Sequence, residues 1–172
     1  MKKIIILSIF LSTFYSCNNS TEYGYVSVDD EKSKMIQELF NKVSEEDIEY
    51  IENIFSDDMT LVNSNGEESN KNQFIAGVKD MFDSFENISF DEVNGDANDS
   101  ETETNYYSNG LVWTAIWNNF TAKGKYTKKE VSFPFHISYL WKDDKIIKEV
   151  QYFNPDVFET ERNAKAEAQL EE

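Results

Sequence analysis

One histidine and one cysteine occur in the 172 residues, His136 in the run VSFPFHISYLW and Cys17 in FYSC. Imidazole is the side chain whose ordinary pKa lies nearest neutrality, so His136 is the first candidate to take or give a proton. The neighbouring carboxylates Asp57 and Asp58 come next, since two acids in unlike surroundings can divide the roles of acid and base. Val131, Phe133, Phe135, Ile137, Tyr139 and Trp141 put large apolar groups on one strand face, with Ser132, Pro134, His136 and Ser138 on the other. His136 is therefore expected to point away from the core, toward solvent or a second subunit, unless a bulge near Pro134 reverses the phase. Asp57 and Asp58 read better as exposed acidic residues closing the second helix before a strand begins. His136 and Asp58 are kept as the candidate acid or base.

Aromatic side chains make the larger pattern. Trp113 and Trp117 flank Ala115 on one face of a strand, Tyr152 shares a face with Val150 and Lys148, and Phe135 and Tyr139 lie on the apolar face of their own strand. These five residues suit a cavity for an apolar or ring-bearing ligand, and equally the filling of an aromatic core. The acidic stretch DEVNGDANDSETE (91–103) offers oxygen ligands without calcium-loop spacing: counted from Asp96, the sixth place lacks glycine and Tyr107 stands where a bidentate glutamate belongs. One histidine and one cysteine make no zinc set, and no glycine-rich phosphate loop is present. No metal or cofactor is expected.

These residues are positioned by helices first and strands afterwards. Met35, Ile36, Leu39, Phe40 and Val43 recur at helical spacing, and Ile48, Ile51, Ile54 and Phe55 do so again, with Ser44 as the expected cap and Asp47 in the first turn. MTLV (59–62) predicts a short strand ended by the turn NSNG. Asn70 and Gln73 outline a capping box for a third helix, whose apolar stripe is Phe74, Val78, Met81, Phe82 and Phe85. From Ile88 the period becomes two, and segments 88–93, 106–120, 131–141 and 146–153 predict strands. This order predicts an α+β domain over residues 29–158, with helices on one face of a curved, mainly antiparallel sheet. Residues 159–172 predict a frayed helix or a disordered tail.

Residues 1–16 have the layout of an export signal: two lysines, an apolar stretch from Ile4 to Leu11, and the small Ser16 before Cys17. The stretch is too short to cross a bilayer as a permanent helix. FYSC resembles a bacterial lipobox, which implies cleavage before Cys17 and a diacylglyceryl group on its thiol. A lone cysteine fits that use, because it has no partner for an intrachain disulfide. The alternative is an ordinary secretory signal followed by an unpaired cysteine. On the first reading residues 17–28 are the lipidated cysteine and a tether, and the protein is anchored to a membrane of the bacterial cell envelope, on its periplasmic or cell-surface face. Loss of Lys2 and Lys3 moves the formal net charge from −17 to −19. Such a charge repels nucleic acid and anionic headgroups, which excludes a nucleic-acid partner and leaves the lipid as the membrane contact.

IFSDDMTLVNSNG (54–66), NQFIAGVKDMF (72–82), NGLVWTAIW (109–117) and YLWKDDKIIKEVQYFNP (139–155) follow the order of the nuclear transport factor 2-like superfamily. Over residues 29–155 the chain resembles that family, which includes SnoaL-like polyketide cyclases and ketosteroid isomerases. The resemblance implies a cone-shaped α+β domain with a pocket between the helices and the concave side of the sheet. It implies no single activity, because one fold hosts many chemistries. Ketosteroid isomerases carry a carboxylate base on the strand after the acidic pair and a first-helix tyrosine as oxyanion donor. Ungapped counting from Asp57 and Asp58 puts Asn63 at the first position and Leu39 at the second. An amide takes no proton near neutral pH and leucine donates no hydrogen bond. Asn63 is retained as a ligand contact only. The expectation is a lipid-anchored domain that binds a small apolar or ring-bearing ligand or a protein partner, with homodimerisation through the sheet face. The alternative is a SnoaL-like enzyme of isomerase, cyclase or hydrolase type acting on a hydrophobic cyclic substrate, with His136, Asp58 or a pocket tyrosine as acid or base. A titratable side chain at the pocket floor beside a hydrogen-bond partner favours the enzyme; a wholly aromatic floor favours binding.

Overall fold

The computed structural model describes residues 23–91 and 102–170; the stretch expected to be an export signal, Cys17 and most of the acidic stretch 91–103 lie outside the described residues. The chain order is β1 (Gly24–Ser27), α1 (Glu31–Ser44), α2 (Ile48–Ile54), β2 (Phe55–Val62), β3 (Glu68–Asn70), α3 (Lys71–Ser84), β4 (Phe85–Asp91), β5 (Thr102–Tyr107), β6 (Val112–Gly124), β7 (Glu130–Lys142), β8 (Lys145–Tyr152) and α4 (Asp156–Leu170).

Asp30 caps α1 by accepting from the Ser33 N–H at 2.8 Å, with Glu31 in the first turn and Lys42 in the last, each of the sign the helix dipole favours. The second helix does not start from Ser44. Glu46 takes a positive φ of 58°, the chain turns there, and Asp47 caps α2 by accepting from the Tyr50 N–H. Ser44 instead closes α1 and donates to the Phe40 carbonyl. At α3 the capping box forms in both directions between Asn70 and Gln73.

The strands join one sheet in the order β1-β5-β6-β7-β8-β2-β3, with β4 also on β6. Every pairing is antiparallel except β2 with β8. One edge of the long β6 carries β5 along Val112 to Ile116 and then β4 from Asn119 to Gly124, so the sheet continues well past the reach of one neighbour. Three expectations about strands change. β2 begins at Phe55 rather than Met59, and Asp57 and Asp58 lie inside it, where its register against β8 shifts. Segment 106–120 is two strands, parted by a turn in which Gly110 takes a φ of 86° and donates to the Tyr107 carbonyl. β1 lies within the stretch read as a tether.

The helices cover one face of this open sheet. Ile36, Leu39 and Phe40 of α1, Ile51 and Ile54 of α2, and Ile75 and Phe82 of α3 are buried with Phe55, Met59, Phe85, Ile116, Phe120, Phe135, Ile137, Tyr139, Trp141 and Ile146. A buried polar chain fixes α1 on the sheet. Trp141 Nε1–H donates to Thr114 Oγ1 at 2.8 Å, Thr114 and Thr104 share a bond of 2.8 Å, Thr104 and Ser33 one of 2.9 Å, and Ser33 Oγ donates to the Ser27 carbonyl at 3.5 Å. Each hydroxyl thus has a partner on both sides, which removes the cost of burying it.

The C-terminal segment is a helix of 15 residues. Its sequence lacks a continuous apolar stripe because it is held by three separate devices. Phe158 packs on Phe85, Phe120, Phe133 and Phe153. Glu161, 2% exposed, accepts from the Tyr126 and Thr127 N–H groups and the Thr127 hydroxyl in the β6–β7 turn. Lys165 pairs with Asp80 of α3 at 2.9 Å.

Candidate ligand site

β8 supplies the carboxylate of the site through an irregularity. Ile146 stands opposite Trp141 but Lys148 opposite Leu140, so Ile147 is an extra residue on β8. One inserted residue reverses the alternation beyond it. Ile146 is buried with the core, and after the bulge Glu149 and Gln151 face the same way, opposite Tyr139 and Ile137 of β7. Lys148, Val150 and Tyr152 turn to the outer face.

Between this inner face and the helices lies a cavity of about 120 Å³. Leu39, Phe40 and Val43 of α1, Ile51 of α2, and Phe74, Val78 and Met81 of α3 enclose it from one side. Phe55, Phe90, Phe120, Phe133, Phe135, Ile137 and Tyr139 line it from the strands, joined by Phe153 and Phe158. The ionisable and amide groups in that lining are Glu149, Gln151 and the Tyr139 phenol. Gln151 Nε2–H donates to Glu149 Oε1 at 2.7 Å. Burial pushes the Glu149 carboxyl up to about 7, although the Gln151 bond favours its anion. Burial also holds the Tyr139 hydroxyl well above its ordinary range, and the charge on Glu149 adds to this. The cavity therefore holds one group that can be acid or base near neutral pH, in apolar surroundings where each charge or hydrogen bond counts heavily.

An outer groove of about 350 Å³ adjoins the cavity, sharing Phe74, Val78, Met81, Gln151, Phe153 and Phe158 with it. Asn63 lines this groove rather than the inner cavity. Its side chain is engaged in the turn after β2, accepting from the Asn65 and Glu67 N–H groups and donating to the Glu67 carboxylate.

Of the other residues singled out in the sequence, Phe135 and Tyr139 line the cavity. Trp113 and Trp117 are on the opposite face of the sheet, not on a cavity wall. The inner positions of β6 are Thr114, Ile116, Asn118 and Phe120, and the polar Thr114 and Asn118 disguise that face; the Thr114 hydroxyl is used in the buried chain. Tyr152 is likewise on the outer face, moved there by the bulge. There His136 stacks against Trp117 at 4.5 Å and Tyr152 at 5.4 Å, with Ser138 Oγ 3.1 Å from its Nε2. Partial burial lowers the His136 pKa. The sheet separates it from Glu149, so the two do not act together. Asp58 is held low by the Ser56 hydroxyl and Asp57 by Lys71, and neither lines the cavity. Leu39 gives the cavity wall only methyl groups. Sequence reasoning did not place Glu149 and Gln151 in a site. Their signal was a carboxylate and an amide two apart in one strand; the bulge that turns them inward has no mark in the sequence.

No protein-family model matches the chain, and no curated protein matches it in sequence. Solved structures do match in shape. A SnoaL-like polyketide cyclase candidate from Shewanella putrefaciens CN-32 superposes with a TM-score of 0.53 at 10% identity, over 78% of this chain and 97% of its own. An NTF2-like protein from Cytophaga hutchinsonii ATCC 33406 gives 0.50 at 17% identity, over 73% and 99%. A protein with a ketosteroid isomerase-like fold from Catenulispora acidiphila DSM 44928, in complex with trimethylamine, gives 0.50 at 13% identity, over 70% and 85%. The chain has the nuclear transport factor 2-like α+β fold.

Proposed function

We propose that this protein is a lipid-anchored extracytoplasmic domain that binds a small apolar molecule in the cone cavity, with Glu149 as the group that meets the ligand's polar atom. The observation that carries this reading is the aromatic-lined cavity with a single carboxylate in its lining. Its volume limits the inner ligand: an apolar cavity of about 150 Å³ takes a benzene ring, so one of about 120 Å³ admits roughly four to six heavy atoms. A larger ligand would extend into the adjoining groove, which shares six lining residues with the cavity. A solved domain of the same fold holds trimethylamine, a molecule of the admitted size.

The anchor rests on the sequence of residues 1–17. A thioether-linked lipid on Cys17 holds the domain at the envelope membrane, and Cys17→Ser removes the acceptor. Metabolic labelling with a fatty-acid analogue checks this: label on the wild type and none on Cys17→Ser is expected, and equal label on both refutes it. For the cavity, the test is mass spectrometry of the protein purified under native conditions, with Phe135→Trp as a variant that fills the cavity. A small molecule retained by the wild type and absent from a folded Phe135→Trp variant supports the site. Equal retention by both places the ligand elsewhere.

A second reading, turnover of the ligand, is favoured by one observation: the Glu149 carboxyl is raised to about 7, so it exchanges protons at working pH. On that reading Glu149 is acid or base and Gln151 orients it.

A further inference from the structure

We propose, resting on the reading of the cavity as a ligand site, that its ligand is a small alkylamine bound as the ammonium ion, its charge shared between Glu149 and the surrounding aromatic rings.

Three observations meet here. The rings of Phe40, Phe55, Phe90, Phe133, Phe135 and Tyr139 line the cavity from four elements, and a box of aromatic rings favours a cation over a neutral molecule of the same shape. Such attraction already operates in this protein, where Lys32 Nζ stands 4.5 Å from the centre of the Trp141 ring. Second, the cavity lining contains no lysine, arginine or histidine to balance Glu149. A buried carboxylate with no counter-ion is costly, and an ammonium ion that enters supplies both the opposite charge and an N–H donor. The groups around Glu149 can be named from each side: Tyr139 opposite it on β7, Leu61 opposite it on β2, Gln151 bonded to it from its own strand, and apolar side chains from α1, α2 and α3 across the cavity. Tyr139 is the other titratable member, and it stays protonated at neutral pH. Third, the chain carries a formal net charge of −17, which draws organic cations toward the domain and repels anions.

tert-Butylamine and tert-butanol test the idea, because they share a shape and differ in charge at neutral pH. Binding to the purified protein is followed by ligand-observed NMR between pH 5.5 and 8.5, for the wild type and Glu149→Gln. The amine is expected to bind about tenfold or more tightly than the alcohol at pH 8. Its affinity should rise with pH through about 7 and then level off, as Glu149 ionises while the amine keeps its charge. Glu149→Gln should abolish both the preference and the pH dependence while keeping the fold. If the alcohol binds as tightly as the amine, and its affinity depends on Glu149 and falls as pH rises, the cation assignment is overturned while the ligand site stands. An amine affinity unchanged in Glu149→Gln overturns the assignment too. Binding of neither probe, in a wild type that also retains no native ligand, overturns both readings.

Discussion

Replacing Glu149 by Gln should stabilise this protein, and by an amount that grows with pH. The carboxyl moves from 4.5 in the open chain to about 7 in the fold because it is buried. Between those values the folded state holds a proton that the unfolded chain releases, so native stability falls as pH rises from about 4.5 to about 7 and is level above. A shift of this size corresponds to about 3 kcal/mol. Glutamine has nearly the same shape, still accepts the Gln151 hydrogen bond through its oxygen, and has no charge to bury. The two proteins should therefore be about equally stable near pH 4.5, with Glu149→Gln ahead by about 3 kcal/mol at pH 8, on the order of 10 °C in midpoint for a domain of this length. Denaturant unfolding of both proteins from pH 4.5 to 8.5 measures this. The difference between them is the quantity of interest, since other acidic residues titrate alike in both. A difference independent of pH would mean that Glu149 is not the buried, raised carboxyl described here. A wild type that gains on the variant as pH rises would mean that a cation already pairs with it.

Two further outcomes are expected from packing. Phe135→Ala, which removes a ring seated against Phe40 at 5.4 Å and Phe90 at 5.8 Å, should lower unfolding free energy by about 3 to 5 kcal/mol, whereas His136→Ala on the outer face should cost less than about 1 kcal/mol; urea denaturation of both variants compares them, and the reverse order would invert the strand phase. Gly124→Ala should cost about 1 to 3 kcal/mol, because an added Cβ collides with the Glu161 carboxylate and the Thr127 hydroxyl that tie α4 to the β6–β7 turn; limited proteolysis should release α4 first, and unchanged resistance would show that α4 is held by Phe158 and Lys165 alone.

Much of the architecture was legible locally. The 3.6-residue recurrence of Ile36, Leu39 and Phe40, the reciprocal Asn70 and Gln73 cap, and the alternation from Val131 to Trp141 each follow from a spacing that one element can satisfy by itself. The helix-then-strand order follows from those elements, and so does the α+β class. The face that each strand turns to the helices is another matter. In β6 the inner face includes Thr114, polar in sequence and paired only because Thr104, Ser33 and Trp141 arrive from distant parts of the chain. In β8 a single unpaired residue, Ile147, exchanges Tyr152 for Glu149 and Gln151, and nothing in IIKEVQYF announces it because the bulge is a property of how β8 aligns with β7. The C-terminal helix repeats the lesson: Glu161 looks like one more surface acid until the backbone N–H groups of Tyr126 and Thr127 meet it. Periodicity is a short-range property that the sequence carries outright, whereas register and the burial of a lone charge are decided by which strands and helices come together, and so the candidate site belongs to the tertiary structure.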